Sequence, residues 1–178
     1  MTPEEFRNSV LPEGRRLYVL AFRYLNSREE AEDAVQEVMI KLWSERNGTV
    51  NYSSVAAWCT TVTRNCCIDI LRRRKRLRIG DLDEAEEFTA AEADTGQRQD
   101  YSEAARLVSV IVSRMKEPGK SAVILRDIEG YSYEETAEAM GMNVTALRTL
   151  MSRSRKQIRE EMERIYSHGT GKDNRTAR

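Results

Sequence analysis

Apolar side chains recur at three- and four-residue spacing through nearly all of this 178-residue chain, and no stretch of useful length alternates apolar with polar. A period near 3.6 lines such residues along one face of a helix, whereas a strand needs a period of two. Nine glycines and three prolines interrupt the pattern only rarely, so helices can run long. The spacing therefore predicts an all-α fold, as one domain or two small ones. No apolar run approaches about 18 residues, so no membrane insertion is expected. The start, MTPEEFRNSV, lacks the basic-then-apolar order of a signal peptide, and the expected location is cytoplasmic.

The chain carries 29 basic and 29 acidic side chains, but they are not mixed evenly. Residues 1–77 have a net charge of +3, residues 78–100 of −6, and residues 101–178 of +3. The middle segment has few large apolar residues and cannot bury much, so it reads as an acidic flexible linker. The expectation is two small helical domains, 1–77 and 101–166, joined by the linker 78–100 and followed by a disordered tail, 167–178. Neutral overall charge thus conceals two basic bodies, each compatible with a polyanionic partner.

In the first body, 27-SREEAEDAVQEVMIKLW-43 opens with Ser27 as N-cap and Glu30 placed to complete a capping box. Ala31, Ala34, Val35, Val38, Met39 and Leu42 form a buried face. Asp33, Gln36 and Glu37 belong to the opposite face, which is either simply solvated or a dock for a basic surface. A second helix is expected from Ser53 to Arg76, with Val55, Trp58, Val62, Cys66 and Ile70 toward the core. Its end, 72-RRRKR-76, suits either a solubilising helix terminus or phosphate binding. The polar loop 44–54, with Asn47, Asn51 and Ser53, is either idle or able to offer hydrogen bonds to an unstacked base. Cys59, Cys66 and Cys67 are an odd number without a histidine partner nearby. They read as small apolar residues, with a thiol switch as the rival.

In the second body a helix is expected near 101–116, then a turn at Pro118-Gly119 and a short apolar helix over 120–130. In 132-SYEETAEAMGMNVTALRTLMSRSRKQI-158, Ser132 and Glu135 form a capping box, Gly141 suits a left-handed helix end, and Asn143 can cap the next helix. Small Ala137, Gly141 four residues on and Leu147 six further give the spacing of a helix-turn-helix. The N-terminal half of its second helix would enter the major groove with Val144, Thr145, Arg148 and Thr149, then Ser152 and Arg153. Arg148 could pair with a guanine edge, and Arg153, Arg155, Lys156 and Arg159 suit phosphates. The competing reading is a basic helix in a bundle that binds no DNA.

These stretches together resemble an extracytoplasmic-function (ECF, group IV) sigma factor, the small class of bacterial RNA polymerase promoter-specificity subunits. The resemblance rests on 31-AEDAVQEVMIKLW-43, on 64-RNCCIDILRRRKR-76 and on 125-LRDIEGYSYEETAEAMGM-142. It implies that Asp33, Gln36 and Glu37 bind the clamp coiled coil of core polymerase. It also implies that Asn47, Asn51, Ser53, Arg64, Asn65, Arg72 and Arg73 recognise the minus-10 element of promoter DNA. Val144, Thr145, Arg148, Thr149, Ser152, Arg153, Arg155 and Lys156 would recognise the minus-35 element, with the polymerase flap as a second contact and an anti-sigma factor as a further partner. The resemblance implies no cofactor, no metal and no catalysis. Thr145, Ala146 and Leu150 depart from the family's usual recognition helix, and Thr136 stands where an apolar residue is usual. Without polymerase dependence, the same residues would describe an ordinary helix-turn-helix regulator.

Overall fold

The computed structural model describes residues 1–48, 52–78 and 103–169; helices and short turns make up these residues, with no strand among them. Helix α1 (Pro3–Ser9) begins at a reciprocal cap, in which the Thr2 hydroxyl accepts from the Glu5 N–H and the Glu5 carboxylate accepts from the Thr2 N–H. A single tight turn (Leu11–Glu13) leads into α2 (Gly14–Leu25). Asn26 closes α2 in the left-handed conformation, φ 53°, a region that asparagine tolerates better than most residues.

Ser27 caps α3 (Arg28–Glu45) as the sequence predicts, its hydroxyl accepting from the Glu30 N–H at 3.3 Å. The second half of the expected capping box is not formed. The Glu30 carboxylate instead accepts from the Arg74 guanidinium on α4 (Val55–Arg78). The Ser27 N–H is a neutral donor, whereas the guanidinium brings a full positive charge as well as its N–H groups, so the carboxylate goes to the neighbouring helix. The bond ties the basic end of α4 to the start of α3.

Ala31, Ala34, Val38 and Leu42 of α3 are buried, with Val35 and Met39 half-buried at the edge, as their spacing predicts. Val38 and Leu42, with Val35 and Met39, close on Phe6, Val10, Leu17, Trp58, Cys59 and Val62 to form the first core, while Ala31 and Ala34 face a second cluster. Helix α4 buries more than the single face expected. Trp58 and Val62 are in that core, while Thr60, Thr63, Cys67 and Ile68 are buried as well. The helix is covered on two sides because the C-terminal half packs against it.

That half begins with α5 (Glu103–Arg114). After the Pro118-Gly119 turn, α6 (Gly119–Val123) runs into one wide turn of π type (Ile124–Ile128) rather than continuing as α-helix to residue 130. The Glu129 N–H donates to the Ile124 carbonyl at 2.9 Å, and the Tyr131 N–H to the Leu125 carbonyl at 3.0 Å. Helices α7 (Tyr133–Met140) and α8 (Val144–Gly169) follow. Helix α8 runs on into the segment read as disordered tail, so the helical part of this half ends at 169 rather than 166. Its last turns are polar and solvated, with an i,i+3 pair between Glu161 and Arg164 at 2.9 Å.

The two halves share a core. Leu20, Phe22, Leu25, Cys67 and Ile68 from α2 and α4 cluster with Val112, Met115, Val123, Ile124, Leu125 and Ala139. A flexible linker leads one to expect bodies that keep apart, but these apolar faces would otherwise lie in water, at about 25 cal/mol per Å². The acidic linker itself, beyond Arg78, lies outside the described residues.

The close approach of α6 to α8 rests on Gly119. A Cβ there would lie 2.9 Å from the hydroxyl of buried Ser154. Gly119→Ala should cost about 1–3 kcal/mol of unfolding free energy. Ser154→Ala in the same chain should recover most of that loss in urea melts, since it removes the clashing oxygen.

Candidate nucleic-acid interface

Helices α7 and α8 pack against each other across a tight turn. Ser132 caps α7 reciprocally with Glu135, at 3.1 Å from the Glu135 N–H and 2.8 Å back to the Ser132 N–H. These bonds hold the Glu135 carboxyl below the usual carboxylate range. Gly141 ends α7 with φ 63°, and its N–H donates to the Glu138 carbonyl while the Met142 N–H reaches the Ala137 carbonyl. Such paired bonds satisfy the last carbonyls of a helix and turn the chain sharply. The Asn143 side chain then accepts from the Ala146 N–H at 2.7 Å and starts α8. Ala137, Leu147 and Met151 are buried together with Ala122, so the second helix is fixed against the first.

This leaves one face of α8 outside. Thr145, Arg148, Thr149, Ser152, Arg153, Arg155 and Lys156 are exposed, and Val144 is half-buried against the small core beneath. Arg148 lies over the Tyr133 ring, 5.4 Å from its centroid. Arg155 is already engaged: its guanidinium donates twice to Asp127, at 2.6 and 2.9 Å, which raises its pKa further. A phosphate at Arg155 would have to share it with that carboxylate, whereas Arg153, exposed on another side of the helix, has no such bond among the described residues. Lys156 pairs with Glu160 at 3.7 Å, a contact of little energetic weight on an exposed surface.

In the N-terminal half the candidate residues are divided. Asn47 and Ser53 are exposed, and Asn51 lies outside the described residues. Asn65, Arg72 and Arg73 are exposed along α4, with Arg72 near Asp69 at 3.5 Å. Arg64 and Ser53, however, are bound by the other half. The Arg64 Nε donates to the Ser121 hydroxyl at 3.1 Å. Ser53 gives its N–H, at 2.7 Å, and its hydroxyl to the Glu138 carboxylate of α7. Asp33, Gln36 and Glu37 are exposed on α3, and the fully turned-out Ile40 continues that face.

Contacts between the halves are the part that the sequence reading missed. Arg16 reaches the Tyr131 hydroxyl, which also meets Thr60 at 3.0 Å, and Arg23 pairs with Glu129. Lys120, only 6% exposed, donates to the Tyr24 carbonyl at 3.0 Å, and burial lowers its pKa. The spacing of Leu17, Leu20, Ala21 and Tyr24 would have marked α2 as a packed helix. Nothing in the sequence marks its partners.

The cysteines are free thiols within the packed helix α4. Burial pushes Cys59 and Cys66 up to about 11 and Cys67 higher still, the opposite of what a reactive thiolate needs. Thr136 is fully buried, and its hydroxyl has no hydrogen-bond partner among the described residues.

A model of sigma-70 region 2 matches residues 10–77 and a model of sigma-70 region 4 matches residues 100–158. The chain is 32% identical over 157 residues to the ECF RNA polymerase sigma factor SigE of Mycolicibacterium smegmatis, covering 85% of this chain and 59% of that protein. It is 28% identical over 145 residues to the RNA polymerase sigma factor SigV of Bacillus subtilis, covering 82% and 83%. The chain spans 59% and 48% of the first relatives it matches, SigE and the SigG of Mycobacterium tuberculosis. Among solved structures, the sigma factor RpoE from Bartonella quintana, in complex with the anti-sigma factor NepR, superposes with a TM-score of 0.70. The identity there is 23%, over 90% of this chain and 98% of that one. CnrH, in complex with the cytosolic domain of CnrY, superposes with a TM-score of 0.65 at 17% identity, over 91% and 90%. Both show the same fold.

Thr136→Val replaces a buried hydroxyl that makes no bond with a methyl group of the same size. It should raise the unfolding free energy by about 1 kcal/mol, read as a shift of the urea midpoint at constant slope.

Proposed function

The chain belongs to the sigma-70 family, among the ECF RNA polymerase sigma factors, and from that premise we propose that it directs transcription initiation by binding core polymerase and reading a two-part promoter. The observation that carries the reading is the pair of region matches, in order, on two halves that each keep a polar or basic helix face outside. The family is not an enzyme family, and no described helix is long and apolar enough to cross a membrane. The working location is the cytoplasm, where polymerase is.

The roles divide along the chain. Asp33, Gln36 and Glu37 offer an acidic and amide face to the polymerase clamp. Val144, Thr145, Arg148 and Thr149 face the minus-35 bases, and Ser152, Arg153, Arg155 and Lys156 the backbone beside them. Asn47, Asn51, Ser53, Arg64, Asn65, Arg72 and Arg73 serve the minus-10 element, where a base leaves the stack at a cost of a few kcal/mol. Ser53 and Arg64 are engaged by Glu138 and Ser121, so the halves must part before these two can meet DNA. Polymerase, which would hold each half separately, supplies that free energy. An anti-sigma factor, such as the NepR bound to RpoE in the solved structure, fits as a protein that favours the packed state.

The test is run-off transcription with core polymerase and a promoter library. A promoter-dependent transcript is expected, and Asp33→Lys should lose it by weakening polymerase binding while the fold is kept. Tight specific binding to duplex DNA without polymerase, and no transcript, would favour the simple regulator. On a responsive promoter, Arg148→Ala should relax one minus-35 position by about 1–3 kcal/mol; an equal loss at every sequence would make it a backbone contact.

A further inference from the structure

Tyr133 sits where the two helices of the turn unit meet. It is the first residue of α7, partly buried against the cluster of Ala122, Ala137, Leu147 and Met151. Two guanidinium groups lie over its ring, Arg126 at 4.8 Å and Arg148 at 5.4 Å from the centroid. Arg126 comes from the wide turn after α6, and Arg148 from the outer face of α8. The phenol is also a neighbour of Arg155, which Asp127 of the same wide turn holds by two bonds.

An exposed arginine has several rotatable bonds and loses up to about 2 kcal/mol of side-chain entropy when it is held in one geometry. An aromatic face within about 6 Å attracts the guanidinium and restricts it before any ligand arrives. A bidentate pair with a base edge needs the fork in one plane, so part of the ordering cost is met in the free protein. Tyr133 is well placed for this, because its backbone is fixed by the Ser132 cap and its ring by the core beneath.

We propose that Tyr133 is a positioning residue for promoter reading: its ring holds Arg148 on the outer face of α8, and so sets discrimination at the base pair that Arg148 contacts. This rests on the minus-35 role given to Arg148 above. The ring rather than the hydroxyl is the working part, since the cation meets the π face. Phenylalanine should therefore replace it, and leucine, of similar bulk but without that face, should not.

Two measurements on the full chain separate the proposal from the reading it rests on. The first needs no DNA. Proton NMR of the free protein should show the Arg148 side-chain methylenes shifted upfield by the ring. The shift should persist in Tyr133→Phe and vanish in Tyr133→Leu, with melting curves confirming that both fold. Absence of the shift, or its survival in the leucine variant, overturns the positioning. The second is transcription from the library with core polymerase. Tyr133→Leu should reduce discrimination roughly two- to five-fold, the worth of an exposed cation–π contact, and only at the position relaxed by Arg148→Ala. Tyr133→Phe should keep it. Full discrimination in Tyr133→Leu where Arg148→Ala relaxes it overturns the proposal. If Arg148→Ala itself relaxes no single position while the NMR shift is present, the base-reading role of Arg148 fails and the specificity claim falls with it, whereas the ring contact stands.

Discussion

A buried ammonium group sits at the junction on which this arrangement turns. Lys120 is taken out of water almost completely and donates to the Tyr24 carbonyl in the last turn of α2. The C-terminal end of a helix carries partial negative charge and unsatisfied carbonyls, so it is a favourable place for a cation that must be buried. Beside it, the Tyr24 hydroxyl and the Arg64 Nε converge on the Ser121 hydroxyl, at 2.9 and 3.1 Å. Apolar packing between α2, α4 and α6 supplies most of the adhesion, but it is non-directional. A buried donor that misses its acceptor loses a hydrogen bond and keeps the cost of desolvation. These polar contacts thus define the register in which the halves meet.

That register has a functional consequence. The carboxylate of Glu138 takes two donors of Ser53, and Ser121 takes Arg64, both residues given to the minus-10 element. The exposed face of α8 and the acid and amide face of α3 remain open in the same arrangement. The packed chain therefore keeps the faces proposed for the minus-35 element and the clamp outside, while part of the set proposed for the minus-10 element is covered. Three candidate residues with similar chemistry, Arg64, Arg148 and Arg155, have different surroundings: one is drawn into the interface, one lies on an aromatic ring, and one is held by Asp127.

Much of the local structure was legible beforehand. Ser132 with Glu135, Gly141 and Asn143 announce a helix end and a helix start, because caps depend on residues three or four apart. The buried faces of α3 and α8 follow from spacing for the same reason. Two local signals failed, one of them because a distant partner intervened. Glu30 should have closed the box with Ser27, but Arg74, far along the chain, took its carboxylate. The apolar run after Lys120 should have stayed α-helical, yet its final turn widens beside α7. The candidate site divides in the same way: the outward residues of α8 follow from the helix period, while the capture of Ser53 and Arg64 does not.

The sequence by itself determined α3, α4, α7 and α8, the caps at Ser27, Ser132 and Asn143, the turn at Gly141 and the side of α8 that faces outward, since each depends on neighbours within about one or two helical turns. It also carried the family, through residues in order along both halves. Only the tertiary structure decided that α4 is covered on two sides, that Glu138 meets Ser53, and that Tyr133 lies beneath Arg148. The physical reason is one of range. Hydrophobic periodicity says that a face must be covered, and by roughly how much apolar surface. The partner that covers it is chosen by shape and by pairing of buried donors with acceptors, which residues far apart in sequence supply together.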